Sequence, residues 1–462
     1  MKKRINLILL ECFLFLSSFA QTYQPTYFSK KDFLEDIDFL TQKVTHIHPA
    51  FLNPEFKQEW MHLHDSIISD INDSLSFNEC YSCMVPLLST LRDGHTGFFP
   101  SYSERIKFMQ QGGTTFPFTV KLEGDKLFID QYLSENRELN LEGLEILSIN
   151  LIPSTLLLSK IRKLCESENL WMTNELAEKY FGIWFWMVFG EQKEYSLELS
   201  DPTDKISISL SPVVNNRYFE LKNKYYPQNE EKRYDISFWD DNQYACMKIK
   251  SFADNTTLCS FLKYAFDTIR QTGCPNLLID IRGNGGGNSQ SVDSLMNYLT
   301  NKEYIQYSSI KLRISQEIKD YYLEKHRDVY EMIKALPVDS LFSFSDSLFV
   351  KTPVCQPNHF KGNIYVLTNE KTFSGAATFA GVTREYHLGT LIGQPTGGKI
   401  FYYGDFLVFK LPNTGLQFYV SPKEFVQFGG DDLNSGVKPD LELTNLNYTI
   451  PEIIDQIKGN LR

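Results

Sequence analysis

The residue in this chain best placed to do chemistry is Ser374, which joins two runs of opposite character in IYVLTNEKTFSGAATFAGVTREY, Ile364 to Tyr386. The first, Ile364–Leu367, is apolar and β-branched, as a buried strand requires, and the Thr368–Thr372 stretch after it has the polar make-up of a turn. From Gly375 to Tyr386 the small and apolar residues predict a helix buried between a sheet and a second layer. Ser374 then falls at that helix's N-terminus, where two roles are open. A serine there can cap the helix through its hydroxyl. It can also present a nucleophile to a cleft, with free amides and the helix dipole at hand to hold an oxyanion of acyl transfer.

A second glycine-rich turn bears on that choice. NLLIDIRGNGGG, Asn276 to Gly287, reads as a buried strand running into a helix that starts near Asn288. Three successive glycines lose much backbone entropy on folding, a cost met where the chain needs positive φ or a close approach. Phosphate binding fits poorly. The spacing is not that of a P-loop, and a dinucleotide fingerprint fails at Asn288, where its last glycine would stand, although Glu303 lies at a suitable distance. An oxyanion hole is the other use of such a turn. It would pair the amide of Gly375 with one from Gly285–Gly287, and Gly286 is the expected donor.

The runs LLIDIRGNGGG, VLTNEKTFSGAATFA and GQPTGGK, with LRDGHT earlier in the chain, resemble the C-terminal processing (tail-specific) serine peptidases, in particular their tricorn-core-like branch. The resemblance spans roughly residues 80 to 445, with about 303 to 360 outside it. It implies a mixed α/β architecture: a crotonase-like ββα catalytic domain, an N-terminal helical region and a PDZ-like domain. It also implies that His95 of the DGHT motif is the general base for Ser374, chemistry suited to an imidazole that titrates near neutral pH. Lys399 of TGGK matches the catalytic lysine of the bacterial branch, so a Ser374–Lys399 pair stands as the alternative base, with His95 favoured. The family's orienting acid falls at Leu433, just before Asn434–Asp440, which leaves Asp432 as the candidate. The family's glutamate three residues after the serine is Ala377 here.

These residues must be positioned by the rest of the chain. Residues 1–20 carry Lys2, Lys3 and Arg4 ahead of an apolar run and small residues, the pattern of an export signal whose apolar run is short for a membrane span. The mature protein is then expected to be soluble, periplasmic or extracellular, without a stable membrane span. Residues 21–110 have helical periodicity and carry the DGHT motif. His46/His48 and His62/His64 are two apart, which points each pair to different helix faces and away from metal binding. Cys80 and Cys83 read as packing within a helix. Residues 114–213 form the expected PDZ-like domain, with GLEILSIN as its central strand and the aromatic run Tyr180–Trp186 as either core or contact surface. A polar linker, Gln228–Arg233, leads into the α/β peptidase domain, 232–462. Its charged helical insertion, 301–362, is either a cap over the cleft or a solvated excursion.

Length and 42% hydrophobic content give a globular chain large enough for more than one core, and a net charge of -11 excludes nucleic acid as a natural partner. The resulting expectation is an exported serine-type endopeptidase that hydrolyses peptide bonds in unfolded proteins or peptides through an acyl-enzyme on Ser374. That chemistry requires no metal or organic cofactor. The alternative is a non-catalytic binding protein of the same fold, for an apolar ligand or a peptide.

Overall fold

The computed structural model describes residues 23–460, apart from 100–101, 137, 166, 201–204, 228–231, 346–349, 355, 431 and 444–447. The expected export signal therefore lies outside the described residues. The N-terminal region is helical: Lys30–Ile47, Pro54–Ser69 and Phe77–Ser89. Each helix begins where its sequence supplies a cap. Ser29 with Asp32 and Ser76 with Glu79 form capping boxes, and Asn53 caps a helix whose first residue is Pro54. Cys80 and Cys83 are free thiols within the third helix, and Cys80 is fully buried.

Residues 118–210 contribute an antiparallel sheet with strands in the order Lys205–Leu210, Tyr195–Ser200, Glu145–Ile149, Lys126–Tyr132, Phe118–Glu123. The strand from GLEILSIN is its middle member. The aromatic run after Tyr180 folds as the helix Phe181–Phe189, with Phe181, Trp184, Phe185 and Trp186 buried, so it belongs to the core and not to a contact surface.

The C-terminal half is built on a sheet ordered Tyr234–Trp239, Tyr244–Ile249, Asn276–Asp280, Asn363–Thr368, Thr390–Gly393, Leu441–Glu442. The first pair is antiparallel and the others are parallel. Both faces are covered, which explains the unbroken apolar runs of its central strands. Ala245, Met247, Leu277, Ile279 and Val366 pack with the helices Asn255–Thr272, Ser289–Leu299 and Gly375–Glu385. The alternate residues Cys246, Leu278, Tyr365 and Leu367 pack with Ile453, Ile454 and Ile457 of the last helix, Ile450–Asn460.

The segment 301–362 departs from expectation. Its helices are present, at Gln316–Lys325 and Arg327–Ile333, but it also supplies the long strand Tyr307–Ile314. That strand pairs antiparallel with Lys423–Gln427, which also pairs with Phe401–Gly404. Part of the insertion is thus a strand of a four-stranded sheet and not a solvated excursion. Its polar and charged residues hid a strand that has Ile310, Leu312, Arg313 and Ile314 buried.

A buried carboxylate is among the ties between the helical region and the C-terminal half. Asp36, with no exposure, accepts the Asn413 N–H at 2.8 Å on one oxygen and the Thr414 N–H and hydroxyl at 2.8 and 2.6 Å on the other. Substituting Asp36→Ala leaves these donors buried without an acceptor. The variant should lose about 2–3 kcal/mol, the scale of hydrogen bonds to a charged group, and show a lower urea midpoint than the parent. An unchanged midpoint would show that the tie contributes nothing to stability.

Candidate active site

Ser374 stands between the strand Asn363–Thr368 and the helix Gly375–Glu385, with φ 49° and ψ −128°. This conformation is strained for a residue with a Cβ and is typical of functional turns. The hydroxyl does not cap the helix. Its partner is His95, whose Nε2 lies 3.3 Å from Ser374 Oγ. The His95 ring is stacked on Phe373, with centroids 5.2 Å apart, and faces Tyr402 on its other side at 5.7 Å.

The loop carrying His95 is fastened from the C-terminal half. Gly97–Phe98 pairs with Phe418 and Tyr419, while the fully buried Ser421 donates its hydroxyl to the His95 carbonyl at 2.8 Å and its N–H to Thr96 Oγ1 at 2.9 Å. Behind the ring lies Asp93, also buried. Asp93 Oδ1 accepts the His95 backbone N–H at 2.7 Å and stands 3.8 Å from His95 Nδ1, an electrostatic contact too long to be a hydrogen bond. Asp93 Oδ2 is 3.3 Å from Nε2 of the buried His48. Because His48 Nδ1 accepts the Ala50 N–H at 3.2 Å, the His48 proton sits on Nε2 and is donated to Asp93.

Burial works against the Asp93 charge, yet the hydrogen bonds it accepts from His48 and His95, with the His95 imidazole beside it, hold its carboxyl well below the usual range. Burial likewise favours neutral His95, and Asp93, followed by Glu168 and Asp405, outweighs it and raises the imidazole above 6.5. Glu168 completes the group. Burial and Asp93 push its carboxyl up to about 7, against the pull of Lys399 and His95, and neither of its oxygens has a hydrogen-bond partner. Donor atoms of Asp93, His95 and Glu168 lie within 4.8 Å of one another, a set that could hold a metal ion.

The other expected residues are placed differently. The Lys399 ammonium donates to the Glu168 carbonyl at 3.1 Å, while Ser374 Oγ meets His95. Asp432 is exposed, and its carboxylate accepts the Asn434 N–H at 3.0 Å in a local turn. It does not orient His95, because the carboxylate beside the ring is Asp93. Gly286, expected as an oxyanion donor, instead gives its N–H to Asn284 Oδ1 at 2.8 Å. Of the serine turn and the Gly-rich turn, the glycines that border the cleft with Ser374 and His95 are Gly375 and Gly287. The cleft has a volume of about 530 Å³ and is walled by Tyr307, Tyr402 and Phe425.

Residues 243–443 match the family model for Peptidase family S41. The whole chain is also similar to solved structures. Mature CPAF superimposes with a TM-score of 0.62 at 15% identity, over 90% of this chain and 93% of that one. Mature CPAF complexed with lactacystin gives 0.62 at 14%, over 94% and 98%. The photosystem II D1 C-terminal processing protease aligns over 90% and 92% at 14% identity, with a TM-score of 0.43. The fold is thus the mixed α/β fold of mature CPAF, and the chain is a serine-type peptidase. Its residues 243–443 carry the S41 peptidase match, within the C-terminal half that holds Ser374. Asp93, His48 and Glu168 escaped the sequence reading. The one available signal was the acid two residues before His95 in the quoted DGHT motif.

Gly286 constrains the site by shape. It has φ 93°, and a Cβ there would lie 2.7 Å from Gly375 N, Phe373 O and Ser374 Cβ. Gly286→Val should therefore displace the serine turn and cut kcat by about 10²-fold or more, the scale of losing an oxyanion donor. The check is hydrolysis of an unstructured protein alongside circular dichroism, and parental rates in a folded variant would contradict the steric argument.

Proposed function

We propose that the chain is an exported endopeptidase that cleaves peptide bonds in unfolded proteins or peptides, with Ser374 as nucleophile and His95 as general base. The observation that carries this reading is the 3.3 Å contact between His95 Nε2 and Ser374 Oγ, on a ring with a buried carboxylate behind it. His95 takes the serine proton as Oγ attacks the carbonyl carbon, then returns it to the leaving amine. Asp93 is the positioning residue. Its charge favours the imidazolium that forms, and His48 holds Asp93 in turn. Gly375 and Gly287 amides would receive the oxyanion, with Gly286 giving the turn its shape. A binding module would have no use for a base directed at a strained serine, which weighs against the non-catalytic alternative.

The arrangement also supports a division into a helical region, a PDZ-like unit at 114–213 and a crotonase-like peptidase domain from 232 onward. A PDZ-like sheet offers an edge on which an extended peptide can add as a strand. Export rests on the composition of residues 1–20 and is tested by N-terminal sequencing of the secreted, mature chain. Among the described residues no helix is long and apolar enough to cross a membrane.

Ser374→Ala should abolish hydrolysis and fluorophosphonate labelling while retaining the folded spectrum. His95→Ala should lose most activity. Lys399→Ala should keep substantially more, and the opposite ranking would transfer the base role to Lys399.

The pH profile tests Asp93. A base must be unprotonated, so kcat/KM should rise with pH through an apparent pKa above 6.5, in the direction His95 is shifted. Asp93→Asn removes the main charge holding that value up, so the limb should move to lower pH as kcat falls by about 10²–10⁴-fold, the range of general-base catalysis. A limb that stays in place would remove Asp93 from this role.

A further inference from the structure

We propose that Asp93, His95 and Glu168 form an inhibitory site for a divalent transition-metal ion of the zinc type, on the side of the His95 ring away from Ser374. The inhibitory part rests on His95 being the general base. The binding part does not.

The geometry suits such an ion. One donor atom from each residue lies within 4.8 Å of the other two. Zinc holds imidazole nitrogen and carboxylate oxygen at about 2.0–2.2 Å, so its ligands stand roughly 3–4 Å apart. The separation of 3.8 Å between Asp93 Oδ1 and His95 Nδ1, too long for a hydrogen bond, falls in that range. An independent observation concerns satisfaction. Glu168 is only 6% exposed, yet both its carboxylate oxygens are buried without a partner, as is His95 Nδ1. Buried polar atoms are nearly always satisfied, and orphans grouped in one place need an explanation. A cation shared among them supplies one. One imidazole and two carboxylates suit zinc and its neighbours better than magnesium or calcium, which prefer oxygen alone. His48 already donates to Asp93 Oδ2, the kind of outer support that fixes a metal-binding carboxylate.

The consequence follows from the two nitrogens of one ring. In the catalytic tautomer Nδ1 carries the proton and Nε2 offers its lone pair to the serine hydroxyl. Coordination takes the Nδ1 lone pair, so in neutral imidazole the proton resides on Nε2. That N–H then faces Ser374 Oγ as a donor, and the ring has no lone pair to accept the serine proton. The Nδ1–H bond breaks and its proton passes to solvent as the metal binds, Nε2 takes one proton from solvent, the ring stays neutral, and acyl transfer stops before its first step.

The test uses full-length Ser374→Ala, which cannot digest itself, freed of metal with EDTA. Calorimetry with zinc chloride should give one ion per chain. Cobalt(II) should give visible bands of a nitrogen–oxygen site, without the thiolate charge-transfer band that would place the ion at a cysteine. Glu168→Gln in the same background should weaken binding by at least about 10–100-fold, the loss seen even for supporting residues of metal sites. His95→Gln should do the same, which guards against one variant misfolding. In the otherwise unaltered enzyme zinc should block hydrolysis and slow fluorophosphonate labelling, both reversed by EDTA. Absence of binding, a thiolate band, or affinity indifferent to both substitutions would overturn the site while leaving His95 as base untouched. Zinc bound at the site with hydrolysis undiminished would overturn the inhibitory role and count against His95 as the base.

Discussion

The candidate site is organised by a carboxylate buried between two imidazoles. Asp93 receives a proton from His48 on one oxygen and faces His95 with the other, and no part of its side chain is exposed. A carboxylate stripped of water is costly unless its lone pairs are met. Each partner must therefore be held, and each is held by a different part of the chain. His48 is set at a helix end, before Pro49, and its carbonyl accepts Arg313 Nη1 at 2.6 Å from the strand Tyr307–Ile314. The His95 loop is fixed by Ser421 and by the Phe98–Phe418 pairing.

The serine side shows the same dependence. Ser374 keeps its positive φ because the surrounding turn is over-determined, with Asn284 at its centre. Asn284 is fully buried, accepts the Phe373 N–H through its carbonyl at 3.0 Å, and links to Ile249 and Gly286 through its amide. The Gly-rich turn and the serine turn are therefore parts of one device. The glycines have a steric purpose, since a Cβ at Gly287 would fall 2.4 Å from Ala253 N.

Local pattern made much of this legible. The strand–turn–helix units around Asn276 and Ile364 declare themselves through apolar runs followed by glycine and polar residues, and Ser374 and His95 stand out by motif. The remainder depends on contacts between residues far apart in sequence. Nothing in the vicinity of Glu168 announces that it lies beside a histidine 73 positions earlier. Asp93 was in view but passed over, because a family pattern directed attention to Asp432, whose carboxylate is taken by its own turn. Which of the three glycine amides borders the cleft depends on φ at each residue, and sequence does not encode that separately. The strand Tyr307–Ile314 was masked by charge because one of its buried positions is an arginine, Arg313, whose Nη1 and Nη2 donate to the His48 carbonyl and to Asp339.

The strand Lys423–Gln427 has a consequence for when the enzyme can first act. A ribosome makes His48 and Asp93 early and Ser374 much later, but the His95 loop is not clamped until Phe418–Ser421 has emerged, and the strand Tyr307–Ile314 has no inner neighbour until Lys423–Gln427 follows. A nascent chain can thus hold both base and nucleophile while the frame between them is still open. With Ser374 and His95 in the roles proposed for them, hydrolytic competence waits until residues 418–427 have emerged.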